Sequence, residues 1–172
     1  METIQPAAQR HKPKIAPRPS LPKLSGWLLV LAVGVVLFPV RILLFLVQDL
    51  APAFTGEAWA LLTTAGSPAF DPLNGPLLIF ELVGNVVLLG SSTMAAVLFF
   101  RRRRRFPLAA IVLLIGAMLF YLADDLLARQ ILAVASQADA GSNLDLYGAG
   151  IVCAVVIPYL LRSDRVKATF VR

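Results

Sequence analysis

Charged side chains are scarce in this chain of 172 residues, since Asp, Glu, Lys and Arg make up only 15% of it. A soluble domain of this size needs roughly 25% charged residues to cover its surface. Hydrophobic residues account for 58% of the chain, and they are grouped in long runs. Runs of this kind are typical of segments that lie in lipid, so the composition predicts an integral membrane protein.

Residues that bind metals or form disulfides are nearly absent. Cys153 is the only cysteine, which excludes an intrachain disulfide, and its apolar surroundings in the sequence predict a small buried side chain. His11 is the only histidine and lies in a polar segment, so we expect no metal site. The sequence also has no Ser-His-Asp set and no phosphate-binding glycine loop. We therefore expect no cofactor and no enzymatic activity.

Four apolar runs have the length of membrane-spanning helices. At a rise of 1.5 Å per residue, about 20 residues cross the ~30 Å hydrocarbon core. The last run reaches only about 27 Å, so it can span only with little tilt. We predict an all-α membrane protein, a four-helix transmembrane bundle over residues 24–161. Its helices are expected at about 24–47, 76–100, 106–128 and 144–161, between a disordered, basic, proline-rich tail at 1–23 and a basic tail at 162–172.

The basic residues are confined to segments that flank the apolar runs. Of the 16 Lys and Arg residues, 14 lie in the N-terminal tail, in the connection between the second and third runs, or in the C-terminal tail. Because cationic segments resist translocation, all three are expected in the cytoplasm, together with both termini. A nucleic-acid-binding module would instead place its basic residues along one groove or helix face, so no nucleic-acid partner is predicted.

Two connections leave alternatives open. Within the connection at 48–75, residues 56–64 are predicted to form either an interfacial helix with Trp59 at headgroup level or an irregular loop. The second connection is a run of five arginines that either binds anionic lipid headgroups or serves only as a topology anchor. These residues are Arg101, Arg102, Arg103, Arg104 and Arg105.

Several polar side chains fall inside the predicted spans, where an ionisable group is costly and suggests function. By helical rise, all the charged ones lie in the outer third of the membrane. Glu81, Asn85 and Ser92 are four and seven residues apart, so they share one helix face. We predict that Arg41 pairs with Glu81 in a network, although separate snorkelling to the interface or a substrate or proton site are alternatives. The candidate polar cluster consists of Arg41, Glu81, Asn85, Asp124 and Asp125.

The C-terminal end carries an amphipathic pattern. Pro158 is expected to break the fourth helix near its cytoplasmic end. Val166 and Phe170 are four residues apart, so a short helical turn is expected to dock on the membrane or on a partner. The alternative is a disordered basic tail.

Three stretches of the sequence carry recognisable motifs. They are Leu24-Ser25-Gly26-Trp27-Leu28-Leu29, then Glu81-Leu82-Val83-Gly84-Asn85, and, most specific, the ending 157–171 with its Tyr, Ser, Arg-Val-Lys and Thr-Phe. Together they resemble the Domain of Unknown Function 2569 family. The resemblance implies a four-helix protein of the bacterial inner membrane and no known reaction. The motif positions it marks for testing are Gly26, Trp27, Glu81, Asn85, Tyr159, Ser163, Arg165, Lys167 and Phe170.

Two functions are compatible with these features. The first is a non-enzymatic accessory or scaffold component that acts through an unknown membrane-protein partner or as a homo-oligomer. The alternative is a small oligomeric transporter or lipid-handling protein that uses the outer-leaflet Arg, Glu, Asn and Asp cluster. Adjacent carboxylates on a helix point about 100° apart, so Asp124 and Asp125 make a poor acid/base couple.

Overall fold

The structure, a computed structural model, describes residues 26–131 and 144–170. The side chains of Leu144, Asp145, Arg165, Lys167 and Ala168 are outside this description. The predicted disordered tail at 1–23 lies outside the described residues.

All regular structure in the described ranges is helical, as the sequence predicts. The first helix, α1 (Trp27–Phe45), continues without interruption into a π-helical turn, Leu46–Leu50, and a 3-10 turn, Ala51–Phe54. The helices are α1 (Trp27–Phe45), α2 (Gly56–Thr63), α3 (Asn74–Phe100), α4 (Phe106–Ala128), α5 (Leu144–Arg162) and α6 (Asp164–Thr169).

Three helical stretches in the described part of the chain are long and apolar enough to cross a membrane. They are Trp27–Phe54, Asn74–Phe100 and Phe106–Ala128, whereas the apolar part of α5, Leu146–Arg162, is shorter. Large apolar side chains cover their exposed faces, with Val83 and Val112 among the most exposed. Apolar surface on this scale is not tolerated by a monomer in water, so the chain has the features of a membrane protein. The fourth crossing stays a prediction.

The first helical stretch extends seven residues beyond the predicted end at 47, which corrects the expected boundary. Pro52 does not stop it, because the residue lies at the start of the 3-10 turn, where its missing N–H is not needed. The stretch ends at Thr55, whose backbone is extended with ψ 148° and whose hydroxyl donates to the carbonyl of Pro52 at 2.7 Å.

Of the two alternatives for residues 56–64, the structure shows a helix, α2. Trp59 stacks on Phe54 with ring centroids 5.4 Å apart. The side-chain amide of Asn74 donates to the carbonyls of Leu62 and Ala69 at 3.1 and 3.0 Å, which ties the connection to the start of α3. The interfacial position of α2 stays a prediction.

The long helices pack in series: α1 against α3, α3 against α4, and α4 against α5. The connection between α3 and α4 is a tight turn, in which Arg102 adopts φ 51°. The N–H groups of Arg102 and Arg103 donate to the carbonyls of Phe99 and Leu98, both at 3.0 Å. These two bonds satisfy the last carbonyls of α3 in the manner of a Schellman motif.

The prediction that Pro158 breaks the fourth helix is wrong, because α5 continues to Arg162 with the proline inside it. Proline removes one backbone hydrogen bond, and packing after the proline offsets this loss: Leu160 is buried in the core at the end of the bundle. The break comes at Ser163, which is extended with ψ 117° and starts the turn into α6.

Candidate functional site

One end of the bundle, where the five-arginine turn lies, contains a buried cluster of apolar side chains that we call the basal cluster. Phe99 and Phe106 flank the arginine turn, and their ring centroids are 5.0 Å apart. Phe106 is fully buried. The cluster consists of Leu28, Phe99, Phe106, Ala110, Leu160, Val166 and Phe170. It therefore joins the start of α1, the α3–α4 turn, the end of α5 and the C-terminal segment.

The C-terminal segment docks on this end of the bundle through the two residues whose spacing predicts an amphipathic turn. Val166 and Phe170 are 1% and 5% exposed. The ring of Phe170 lies 4.7 Å from that of Phe106 and 5.6 Å from that of Phe99. The bilayer and a partner are therefore not needed to bury these side chains, because the chain's own helix ends do so.

Family-motif positions from both ends of the chain meet at this site. Gly26 precedes α1 with φ 64° and ψ −133°, a conformation that favours glycine, and its carbonyl accepts the first backbone bonds of the helix. The rings of Trp27 and Tyr159 are 6.3 Å apart. The N–H of Ser163 donates to the carbonyl of Tyr159 at 3.0 Å, so Ser163 links α5 to α6. Arg165 and Lys167 lie on α6.

Two carboxylates face each other near the other end of the bundle. Glu81 on α3 and Asp124 on α4 are half-buried, and the charge of Asp124 is close enough to act on Glu81. The Oδ1 atom of Asp124 is buried and has no hydrogen-bond partner among the described residues. Next to this pair, Gly84 lies against the ring of Phe120, which brings α3 and α4 close together.

Asn85 and Ser92 lie on the inner face of α3, as their spacing predicts. They are 5% and 2% exposed. Asn85 donates from Nδ2 to the carbonyl of Glu81 at 2.9 Å, and the hydroxyl of Ser92 donates to the carbonyl of Leu89 at 3.0 Å. Both side chains therefore find hydrogen-bond acceptors on their own helix, which makes their burial in an apolar bundle tolerable.

Asp125 and Asp124 take part in different contacts, because neighbouring side chains on a helix point in different directions. One carboxylate oxygen of Asp125 accepts a hydrogen bond from Nε of Arg129 at 2.8 Å, four residues along the chain. This hydrogen bond raises the pKa of Arg129, which lies just beyond the end of α4. Asp125 thus contributes to an exposed ion pair at the helix end.

Arg41 lines a cavity between α1, α4 and α5. Its side chain is exposed, and Tyr121 of α4 lines the same cavity. The charge that acts on Glu81 is that of Asp124. The pairing of Arg41 with Glu81 therefore stays a prediction.

The cavity has a volume of about 670 Å³ and almost entirely apolar walls. It extends from Trp27 and Tyr159 at the basal end to Arg41 at the other end. Gly34 of α1 and Gly148 of α5 line it, and a Cβ atom added to either would meet nothing within 4 Å. The sequence does not reveal this site, because small residues are common in membrane helices. Only the tertiary structure shows that the two glycines, on α1 and α5, line one cavity together with α4.

Among the described residues, no group of three or more His, Cys, Asp or Glu side chains is placed to hold a metal ion. Comparisons with curated proteins and with solved structures found no match to this chain. A family model described as a protein of unknown function, DUF2569, matches residues 21–171, which confirms the resemblance of the three motif stretches. Since the match covers nearly the whole chain, the protein belongs to the Domain of Unknown Function 2569 family.

Proposed function

We propose that this protein is a non-enzymatic accessory component of the bacterial inner membrane that binds a membrane-protein partner or a second copy through its basal end. In this proposal, α1, α3, α4 and α5 all cross the membrane and both termini lie in the cytoplasm. The observation that carries the proposal is the docking of α6, which holds a basic segment at a defined place under the bundle.

The docking brings two basic segments to one end of the molecule. Phe170 packs on Phe99 and Phe106, which flank the five arginines, and Arg162 ends α5 just before the docked segment. A topology anchor needs only positive charge near the helix ends. Burial of Phe170 fixes the position of the C-terminal basic segment, which a topology anchor does not require. A basic surface of fixed geometry is suited to recognising an acidic partner surface.

Anionic lipid headgroups are a second contact that we propose for the five arginines. Arg101, Arg103, Arg104 and Arg105 are exposed. Each basic residue near an anionic surface contributes about 1 kcal/mol, so lipid contact strengthens the attachment of the basal end to the membrane without defining a partner.

Partner capture with the full chain tests the proposed function. The tagged protein is extracted in a mild detergent, and co-purifying membrane proteins are quantified by mass spectrometry, with a second, differently tagged copy to detect self-association. Phe170→Ala removes the docking contact and is expected to abolish capture. Phe100→Ala removes an exposed phenylalanine from the same end of the bundle and is expected to leave capture intact, as is Glu81→Ala near the opposite end.

Equal capture by Phe170→Ala and the parent chain would show that the docked segment does not form the binding surface. If Phe170→Ala loses capture, a melting measurement on each variant in detergent separates loss of the docking contact from loss of the fold, because truncation of a buried phenylalanine costs about 3–5 kcal/mol.

The alternative function, lipid handling, is favoured by one observation, the apolar cavity between α1, α4 and α5. A pathway for ions or polar solutes needs polar or wet walls, whereas these walls suit a hydrocarbon chain. The cavity therefore favours lipid handling over the transport of a polar solute.

A further inference from the structure

We propose that the cavity between α1, α4 and α5 binds one acyl chain of an anionic phospholipid, with the lipid phosphate beside Arg41. This inference rests on the lipid-handling function and adds the class of ligand, its orientation and the residue that selects its headgroup.

The length of the cavity fits an acyl chain. Trp27 and Arg41 line its two ends and are 14 residues apart on one helical stretch, a distance of about 21 Å at helical rise. The acyl chains of one leaflet fill about half of the ~30 Å hydrocarbon core, or ~15 Å. A single chain therefore fits along the cavity from the Arg41 end, with room before the rings of Trp27 and Tyr159, which are 6.3 Å apart.

The volume of the cavity suits a small ligand. The cavity volume is about 670 Å³, within the range of about 300–1,000 Å³ that is typical of sites for small ligands. Glycine at positions 34 and 148 leaves the space open. On the α4 side, the lining includes the small side chains of Ala110 and Ala117.

The charge at one end selects the headgroup. Arg41 lies about 21 Å above the start of α1, where a long arginine side chain can reach the headgroup region by snorkelling. A guanidinium has five N–H donors, so it can hold a phosphate in bidentate fashion while keeping a contact within the protein. Tyr121 lines the same end of the cavity. An anionic lipid complements this end better than a neutral one.

Photolabelling of the full chain in nanodiscs tests the proposal. The bilayer is phosphatidylcholine with a small fraction of phosphatidylglycerol that carries a photoreactive acyl chain, and labelled peptides are mapped by mass spectrometry. We expect labelling of half-buried cavity residues such as Val35 and Val156 above that of the lipid-exposed Val86 on α3. The double variant Gly34→Leu, Gly148→Leu fills the cavity and is expected to reduce labelling there to the level of Val86.

The matched control is Gly90→Leu, Gly116→Leu, two helical glycines whose added Cβ atoms also meet nothing within 4 Å. This control is expected to label as the parent chain does.

Repeating the experiment with a photoreactive phosphatidylcholine measures headgroup preference. Arg41→Gln is expected to reduce the preference for phosphatidylglycerol about tenfold, the change that follows from losing one charge-assisted hydrogen bond.

Each outcome has a defined consequence. Unchanged labelling in the filled variant, or crosslinks from the cavity to a second copy, would overturn both the inference and the lipid-handling function. Reduced labelling in the filled variant combined with an unchanged headgroup preference in Arg41→Gln would overturn the anionic-lipid assignment and leave lipid handling standing.

Discussion

At the scale of single residues, Gly84 shows how one missing side chain permits a helix contact. A Cβ atom at this position would lie far inside van der Waals contact with the ring of Phe120. The contact lies one turn of α3 from Glu81, so the close approach of α3 and α4 also sets how near the two facing carboxylates come.

We expect Gly84→Ala to destabilise the bundle by about 1–3 kcal/mol, the usual cost of overpacking. Thermal or denaturant unfolding in detergent measures the change. Gly90→Ala on the same helix is the control, because a Cβ atom there meets nothing within 4 Å. Phe120→Leu in the Gly84→Ala background should recover part of the loss, since the two residues are coupled through one contact. Equal stability of the two alanine variants would contradict this account.

At the scale of elements, the turn between α3 and α4 combines a topology signal with a backbone conformation that arginine disfavours. Arg102 has a positive φ of 51°, and the turn depends on it for the two hydrogen bonds that end α3. The run of arginines therefore places positive charge at the helix ends at the cost of some local strain.

We expect Arg102→Gly to stabilise the protein by about 1 kcal/mol, because glycine adopts the left-handed conformation without a Cβ clash. Arg103→Gly removes the same charge from a residue without a positive φ and is expected to be neutral or destabilising. Unfolding of both variants under identical detergent conditions provides the measurement. Similar stabilities for the two variants would show that the turn stores no such strain.

For the whole molecule, the serial packing of the helices determines where the cavity and the basal cluster form. Because α1 packs on α3 and α5 packs on α4, the outer helices meet near their basal ends through Trp27 and Tyr159 and enclose the cavity beyond that contact. The same arrangement brings the start of α1, the α3–α4 turn and the C-terminal segment into the basal cluster.

Cysteine labelling of intact cells tests the predicted topology. In a Cys153→Ala background, a membrane-impermeant maleimide is expected to label Ala65→Cys and Ser142→Cys from outside. Arg103→Cys and Arg172→Cys should react only after the membrane is permeabilised, because positive segments stay in the cytoplasm. Labelling of Arg172→Cys from outside would show three crossings instead of four, and labelling of Arg103→Cys would reverse the whole orientation.

Much of the helix pattern is readable from local sequence features. Hydrophobic runs and breaker residues predicted α4 over its observed residues and the other long helices to within a few residues, except where helix continues to Phe54 and through Pro158. Spacing alone placed Asn85 and Ser92 on the inner face of α3, because helical periodicity is a property of neighbouring residues.

A set of apolar helices and a charge distribution can be read from the amino-acid sequence alone, since both depend on composition and on a fixed rise per residue. Which helices are neighbours depends on the tertiary structure. It placed Glu81 opposite Asp124, fitted Gly84 to Phe120, docked Phe170 on the chain's own helix ends, and left a cavity beside Arg41. These contacts depend on how side chains of different helices pack against each other. The periodicity of a single helix does not specify which residue of another helix it will contact.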